Sequence, residues 1–235
     1  VAAQDLGLWE QANTAVSQAF SLLTESSDRP DIRSLLLNTK GRLQLRQGQP
    51  ETAWETWKQA EAAYAEAEDE TGLIGAQINQ SQALQTMGLY RRARVQLEEV
   101  ADALQDQPDS IVKAIALKSL GTVFQTAGSL EQSQQYLEQS LAISRQLRND
   151  ADAADTLFNL ANTLRFMKDS AAAEQHYKKA ENLLPPSVLK TKIQLNRFSL
   201  LLETQQWPVA QQMLSELVKD VQHLPSGRQA EIAFV

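Results

Sequence analysis

The 235-residue sequence has no cysteine and two histidines, His176 and His223. That removes thiol nucleophiles, disulfides and cysteine-based zinc sites, and most histidine-based metal sites with them. Long apolar runs are also missing. The runs present are a few residues, such as Leu35-Leu36-Leu37 and Leu200-Leu201-Leu202, against the roughly 20 residues a membrane-spanning helix needs. Basic residues are outnumbered, 22 to 29, giving a net charge of −7, so the global positive field that drives binding to phosphate backbones is lacking and nucleic acid is not an expected partner. Residues 1–8 carry Asp5 and have neither a basic nor an apolar segment, so no signal peptide is visible there and the compartment stays open. The chain begins at Val1 and stops in Ala230-Glu231-Ile232-Ala233-Phe234-Val235, which reads as a helix cut partway in a piece of a longer protein. A non-catalytic chain without cofactor or metal is the expectation.

What is present is an all-helical pattern. Glycine and proline, nine and seven in number, stand between stretches rich in Ala, Leu, Gln and Glu, and no useful length alternates with period two,. The stretches repeat at an offset of 40: Gly48, Gly88 and Gly128 share one column, which Lys168 continues,. Small residues recur at Gly41, Ser81, Gly121 and Ala161 and again at Ala53, Ala93, Ser133 and Ala173. Large ones recur at Trp57, Leu97, Leu137 and Tyr177. Upstream, Gly7, Trp9, Ala12, Val16 and Ala19 repeat the second half of the unit; downstream, Ala210, Leu214 and Leu217 do so.

An antiparallel helix pair accounts for these columns. The small residue on the first helix lets the second approach closely. The glycine ends the first helix in the left-handed conformation. The second helix opens on a cap or first-turn residue: Pro50, Ser129 with Gln132, Asp169, or Pro208 after Trp207,. Breaks between pairs fall at Pro30-Asp31, Pro108-Asp109-Ser110, Asp150 to Asp152 and Pro185-Pro186-Ser187,. The expected layout is a leading helix over 8–25, helix pairs over 31–68, 70–105, 109–147, 151–184 and 187–223, and the start of a further helix over 226–235.

Leu117-x2-Leu120-Gly121-x2-Phe124-x3-Gly128-x-Leu130-x2-Ser133-x3-Leu137-x2-Ser140 resembles the tetratricopeptide repeat, and Leu157 to Leu164 with Ala173, Tyr177, Ala180 and Pro185 is similar to it as well. The resemblance covers almost the whole chain, with units longer than the usual 34 residues. It implies a right-handed α-solenoid of antiparallel helix pairs whose function is protein–protein recognition. A narrower resemblance, carried by Gln194 to Leu202, Gln205-Gln206-Trp207, Leu224-Pro225-Ser226 and Thr156 to Leu164, is to the repeat region preceding the caspase-like CHAT domain in a set of bacterial proteins. It implies a regulatory arm for a tethered carboxy-terminal peptidase domain.

Candidate chemistry is sparse. His176 precedes the packing residue Tyr177 and is expected on the solvated side, while His223 lies past the last full helix with no nucleophile or orienting acid near it,. The acidic run Glu66, Glu68, Asp69 and Glu70 lacks the spaced ligands and central glycine of a calcium loop and reads as a solvated helix terminus,. Trp9, Trp54, Trp57 and Trp207 occupy second-helix columns and are expected to pack.

The informative stripe is on the first helices, which line the concave side of such stacks. It runs through Leu35, Asn38, Arg42 and Arg46; Ile78, Asn79, Gln82 and Gln85; Lys118, Ser119, Thr122 and Gln125; Phe158, Asn159, Asn162, Arg165 and Phe166; then Lys192, Leu195, Asn196 and Ser199. The recurring asparagines offer one acceptor and two donors each, which suits the backbone of an extended peptide, and the pattern is similar to the asparagine ladders of peptide-binding tetratricopeptide arrays. Lys118, Asn159 and Lys192 match three of the five places of the family's carboxylate clamp, whereas Thr122 and Asn196 depart from it. Lys118, Arg165 and Lys192 suit an acidic segment. A merely solvated groove face accounts for the same residues. The expected partner is a peptide or protein segment, acidic or extended, or a tethered carboxy-terminal domain.

Overall fold

In a computed structural model of the protein, backbone is described over 2–26 and 29–222 and side chains over 10–23 and 29–215. The described residues form eleven α-helices and no strands. The fold is all-α and built of helix pairs, of the solenoid class. It divides into two compact units, 1–127 and 128–235. Unit 1 contains α1 (Ala2–Ser26), α2 (Pro30–Arg46), α3 (Pro50–Glu66), α4 (Glu70–Thr86), α5 (Tyr90–Leu104) and α6 (Ile111–Thr126). Unit 2 contains α7 (Leu130–Gln146), α8 (Asp150–Phe166), α9 (Ser170–Leu183), α10 (Val188–Glu203) and α11 (Trp207–Gln222). Trp9's side chain, His223, Leu224-Pro225-Ser226 and the helix expected over 226–235 lie outside the described residues.

Chain reversal is local. Gly48, Gly88 and Gly128 have φ of 74°, 76° and 81°, and Lys168 in the same column has φ of 66°. Glu68, Arg148 and Gln205, at 55°, 54° and 59°, do the same work at other turns. After α2 the amide of Gln49 donates to Gln44 O at 3.0 Å and that of Gly48 to Leu45 O at 3.0 Å, the paired bonds that close a helix end around one left-handed residue. The six-to-one bond recurs in Asp69 to Tyr64, Leu89 to Leu84, Asn149 to Ser144, Asp169 to Leu164 and Gln206 to Leu201. After such a turn the next helix begins at once, capped at Asp69, Asn149 and Asp169, while Ser110 and Ser187 cap the helices that follow longer connections; each side chain accepts from an amide three residues on,.

Two expectations about helix ends fail. Ser129 stands at the N-cap of α7, yet its side chain makes no cap hydrogen bond. Gly7 is not a turn residue but lies inside α1, which starts at Ala2 rather than residue 8; Ala2, Ala3 and Gln4 favour helix, and a lone interior glycine lowers helix stability by only about 1 kcal/mol.

In unit 1 the core gathers on Trp57, fully buried among Leu37, Ala53, Ala60, Ala63, Tyr64, Ala76 and Ala83. In unit 2 it gathers on Tyr177, with Leu137, Leu157, Leu160, Ala173, Ala180, Ile193 and Leu200. The small-residue column at Gly41, Ser81, Gly121 and Ala161 is buried throughout. A Cβ on Gly41 would sit 2.6 Å from Trp57 Nε1, so close approach is what the glycine provides. Ser81 is tolerated because its hydroxyl donates to Ile78 O at 2.6 Å. Buried hydroxyls elsewhere pair with one another: Ser133 with Thr163 at 2.9 Å and Ser140 with Thr156 at 3.3 Å.

Trp207 departs from expectation. It is the first residue of α11, one place before Pro208 and ahead of the packed stripe that starts at Ala210, and it is 59% exposed. Trp54 packs against the unit 1 core as expected, half-buried at its edge. His176 is half-buried, its Nδ1 2.8 Å from Ala172 O, rather than solvated. The acidic run around Asp69 is a helix junction: Asp69 caps α4 and Glu66 pairs with Arg33.

Candidate functional site

In unit 1 the first-helix stripe contributes Asn38 and Arg42 from α2, Asn79 and Gln82 from α4, and Lys118 and Thr122 from α6. Asn38 Oδ1 accepts from Trp57 Nε1 at 3.1 Å and from Asn79 Nδ2 at 2.9 Å. The indole in the core thus fixes the Asn38 amide, which holds Asn79 across the α2–α4 seam. Both amides are half-buried, while Arg42 and Gln82 stand exposed beside them. Thr122 and Lys118 are half-buried, and the Thr122 hydroxyl donates back to Ser119 O at 2.8 Å. Burial pushes the Tyr64 phenol, packed beside this seam, above its ordinary pKa,.

In unit 2 the stripe contributes Asn159, Asn162 and Arg165 from α8 and Lys192 and Asn196 from α10. Asn162 Oδ1 accepts from the Tyr177 hydroxyl at 2.5 Å. Arg165 grips Glu203 side-on, donating from Nη2 to Oε1 and from Nε to Oε2 at 2.9 Å. The hydrogen bonds of this pair raise the Arg165 pKa and lower that of Glu203. Burial raises Tyr177, with the neighbouring guanidinium pulling the other way. Asn159 and Asn196 donate to the carbonyls of Asp155 and Lys192 on their own helices, at 3.0 and 2.9 Å. Lys192 is exposed, its ammonium 5.4 Å from the Phe158 ring centre.

The structure therefore brings Asn38 and Asn79 into direct contact and gives Arg165 a carboxylate of its own. Two stripe residues are not surface groups. Ile78 is buried in α4, which α2 and α6 both flank, and Phe158 is buried against Tyr177, ring centres 6.1 Å apart.

Sequence reasoning passed over one ionic cluster. Arg197 on α10 donates to Glu181 on α9 at 3.0 Å and lies 3.8 Å from Glu174, all three side chains being largely buried. Burial raises the Glu181 pKa even though Arg197 opposes it. The signal was in the register. Glu61 and Gln77, bonded at 2.7 Å, stand 120 residues before Glu181 and Arg197. The intervening columns read Ala101 and Leu141 against Leu117 and Leu157, so both partners turn polar in the same pairs. Among the described residues no cluster of three His, Cys, Asp or Glu groups fits a metal ion, and no helix is long and apolar enough to cross a membrane.

With this geometry in view, the chain can be set beside known proteins. The tetratricopeptide repeat model matches it over residues 72–146 and 112–185. Among solved structures, BtubC (BKLC) from P. vanneervenii superposes with a TM-score of 0.71 at 15% identity, over 90% of this chain and 89% of that one. The quorum sensor NprR from B. thuringiensis, in its apo form, gives 0.72 at 12% identity, over 96% of this chain and 63% of that one. A Rap protein complexed with Competence and Sporulation Factor gives 0.75 at 12% identity, over 89% and 58%. At these identities the likeness is one of fold. No curated protein matches. The repeat match thus falls on 72–185, a little under half of the chain, and the solved structures share its all-helical fold.

Proposed function

We propose that the chain is a non-catalytic scaffold that binds a peptide or protein segment along the first-helix face of its pairs. The observation that carries this reading is the anchored amide chain Trp57–Asn38–Asn79. A side chain already fixed by the core loses little freedom on binding, and an amide held so can serve a peptide backbone whatever its sequence. Arg42 and Gln82 beside it are exposed contacts that such a segment would meet on unit 1, and on unit 2, taken by itself, Lys192 is exposed on the corresponding helix face. The Rap structure, solved with a factor bound, supports the reading by shared fold. Arg165, paired with Glu203, serves in it as a fixed polar wall rather than as an unspent charge.

The test is selection of a displayed random dodecapeptide library on the chain. Peptides that bind this face are expected to lose about tenfold or more in affinity on Arg42→Glu with Gln82→Ala, by fluorescence anisotropy, at an unchanged melting temperature. A selected set indifferent to that variant, and to Lys192→Glu, refutes the proposal. A second reading, a regulatory arm for a caspase-like CHAT domain, rests on the resemblance of Gln194 to Leu202 and its companion stretches. Translation of the gene beyond Val235 tests it, since a reading frame without a following domain bearing a His and Cys pair refutes it.

A further inference from the structure

On the opposite side of unit 1 from the amide chain, α3 and α5 stand apart and leave an open cleft of about 930 Å³ with α4 as its floor. The two faces of α4 are distinct. Leu73, Ile74, Gln77, Gln80 and Leu84 face the cleft, and Asn79 and Gln82 fall about 200° round the helix from Gln77 and Gln80,. α3 and α5 each run antiparallel to α4, so they point the same way. Their N-terminal ends bring Trp54 and Lys58 beside Arg91 and Arg92, whereas Glu70 and Glu99 lie toward the other end.

The interior polar groups of this cleft are already matched. Gln77 and Gln80 donate to the two oxygens of Glu61 at 2.7 and 2.6 Å, and Gln96 donates to Gln80 Oε1 at 3.1 Å, a chain that crosses all three helices. At the cationic end Lys58 lies 3.7 Å from Glu55, and the two arginines are the groups left without a carboxylate. Lys58 and Arg92 lie 4.5 and 5.2 Å from the Trp54 ring centre. Neither Arg91 nor Arg92 meets a carboxylate among the described residues, both are exposed, and the shielded Trp54 Nε1 has no acceptor. Next to them Val95 is 45% exposed above the apolar floor. In a chain of net charge −7, two unpaired guanidinium groups beside an exposed aliphatic residue form a local inversion of sign.

We propose that this cleft docks an acidic peptide segment with an aliphatic anchor: carboxylates on Arg91 and Arg92, and a Leu, Ile or Val side chain on Val95 and the floor. The flanking run from Arg91 to Ala103 is roughly 18 Å long at 1.5 Å per residue, which accommodates about five extended residues or three helical turns. Guanidinium pairs that take carboxylates in charge-assisted bonds supply the specificity, and burial of the aliphatic side chain supplies affinity. The site shares no residue with the first-helix face and stands or falls independently of it.

The same displayed dodecapeptide library, selected on the chain, tests this. An acidic class with one dominant aliphatic position is expected, binding about tenfold or more weakly to Arg91→Glu with Arg92→Glu, less weakened by Arg91→Gln with Arg92→Gln, and weakened by added salt. The same peptides are expected to bind Arg42→Glu with Gln82→Ala as they bind the unsubstituted chain. All four substituted arginine and glutamine positions are exposed, and a circular dichroism melt checks that each variant is folded. Absence of an acidic class, equal affinity for the charge-reversed variant, or loss of binding through the first-helix variant instead overturns the proposal.

Discussion

The same substitution, Gly→Ala, placed in two helices of unit 1 is expected to act with opposite sign. Gly41 lies in the middle of α2, where a Cβ would stand 2.6, 2.7 and 2.8 Å from Nε1, Cε2 and Cδ1 of Trp57. The indole has nowhere to retreat, being fully buried with its Nε1 committed to Asn38. Overpacking of this kind costs typically 1–3 kcal/mol, and a displaced indole weakens a hydrogen bond worth roughly 1 kcal/mol. Better helix propensity returns about 1 kcal/mol, leaving Gly41→Ala destabilising by about 1–3 kcal/mol. Gly75, inside α4, has nothing within 4 Å of its Cβ position, so there only the propensity gain of about 0.5–1 kcal/mol remains. The two variants should differ by about 2–4 kcal/mol, or roughly 5–15 °C in melting temperature for a chain of this length. Thermal and urea denaturation followed by circular dichroism measures it. Trp57→Phe removes the pyrrole atoms that the new methyl strikes, so a double-mutant cycle should show a coupling above about 0.5 kcal/mol. A Gly41→Ala chain as stable as Gly75→Ala, or a cycle without coupling, refutes the packing argument.

Three other outcomes follow from particular residues. Arg148→Gly and Lys168→Gly relieve left-handed backbone at non-glycine positions and should each stabilise by about 1 kcal/mol, raising the urea midpoint at constant slope. Trp57→Ala should cost about 3–5 kcal/mol, whereas the exposed Trp207→Ala should change stability by less than about 1 kcal/mol,; comparable midpoints for the two would contradict their placement. Glu181, whose pKa burial raises, binds its proton more tightly folded than unfolded, so its contribution to stability falls as pH rises from the ordinary carboxyl value through the raised one. Glu181→Gln should remove that fall, read as the difference between the two melting-temperature profiles over that window. Glu203 and Asp31, whose values are lowered, act with the opposite sign and lose stabilisation as pH drops.

Helix ends were legible because their signals act over three or four residues: Gly48, Gly88 and Gly128 at the turns and Asp169 at a cap, whereas the caps at Asp69 and Asn149 went unread. The packing columns were legible because they repeat, and Ala53, Trp57, Ala60, Ala173, Tyr177 and Ala180 are all fully buried. Side-chain partners between helices were not. Whether Asn38 meets Asn79, or Arg165 meets Glu203, depends on how far one helix slides along another, which no spacing within a helix reports. The left-handed turns at Glu68, Arg148 and Gln205 escaped notice because the residue types there disguise the conformation that the flanking hydrogen bonds impose. The cleft between α3 and α5 escaped because its open side arises from what is absent between two helices, whereas the residues that mark it, Arg91, Arg92 and Val95, read as an ordinary charged surface.

The left-handed turns at residues 48 and 88 share more than geometry. Each closes its helix by the same pair of amide bonds and releases the next helix after one intervening residue. A genetic crossover between the codons of Gly48 and Gly88 would therefore join two ends of matching conformation. Forty residues, one full helix pair, can be lost or duplicated there in frame without inventing a loop, so chain length is the cheapest property for recombination to vary. The longer connections at 105–110 and 184–187 offer no such equivalent junction, and length variants among close relatives are expected to respect them.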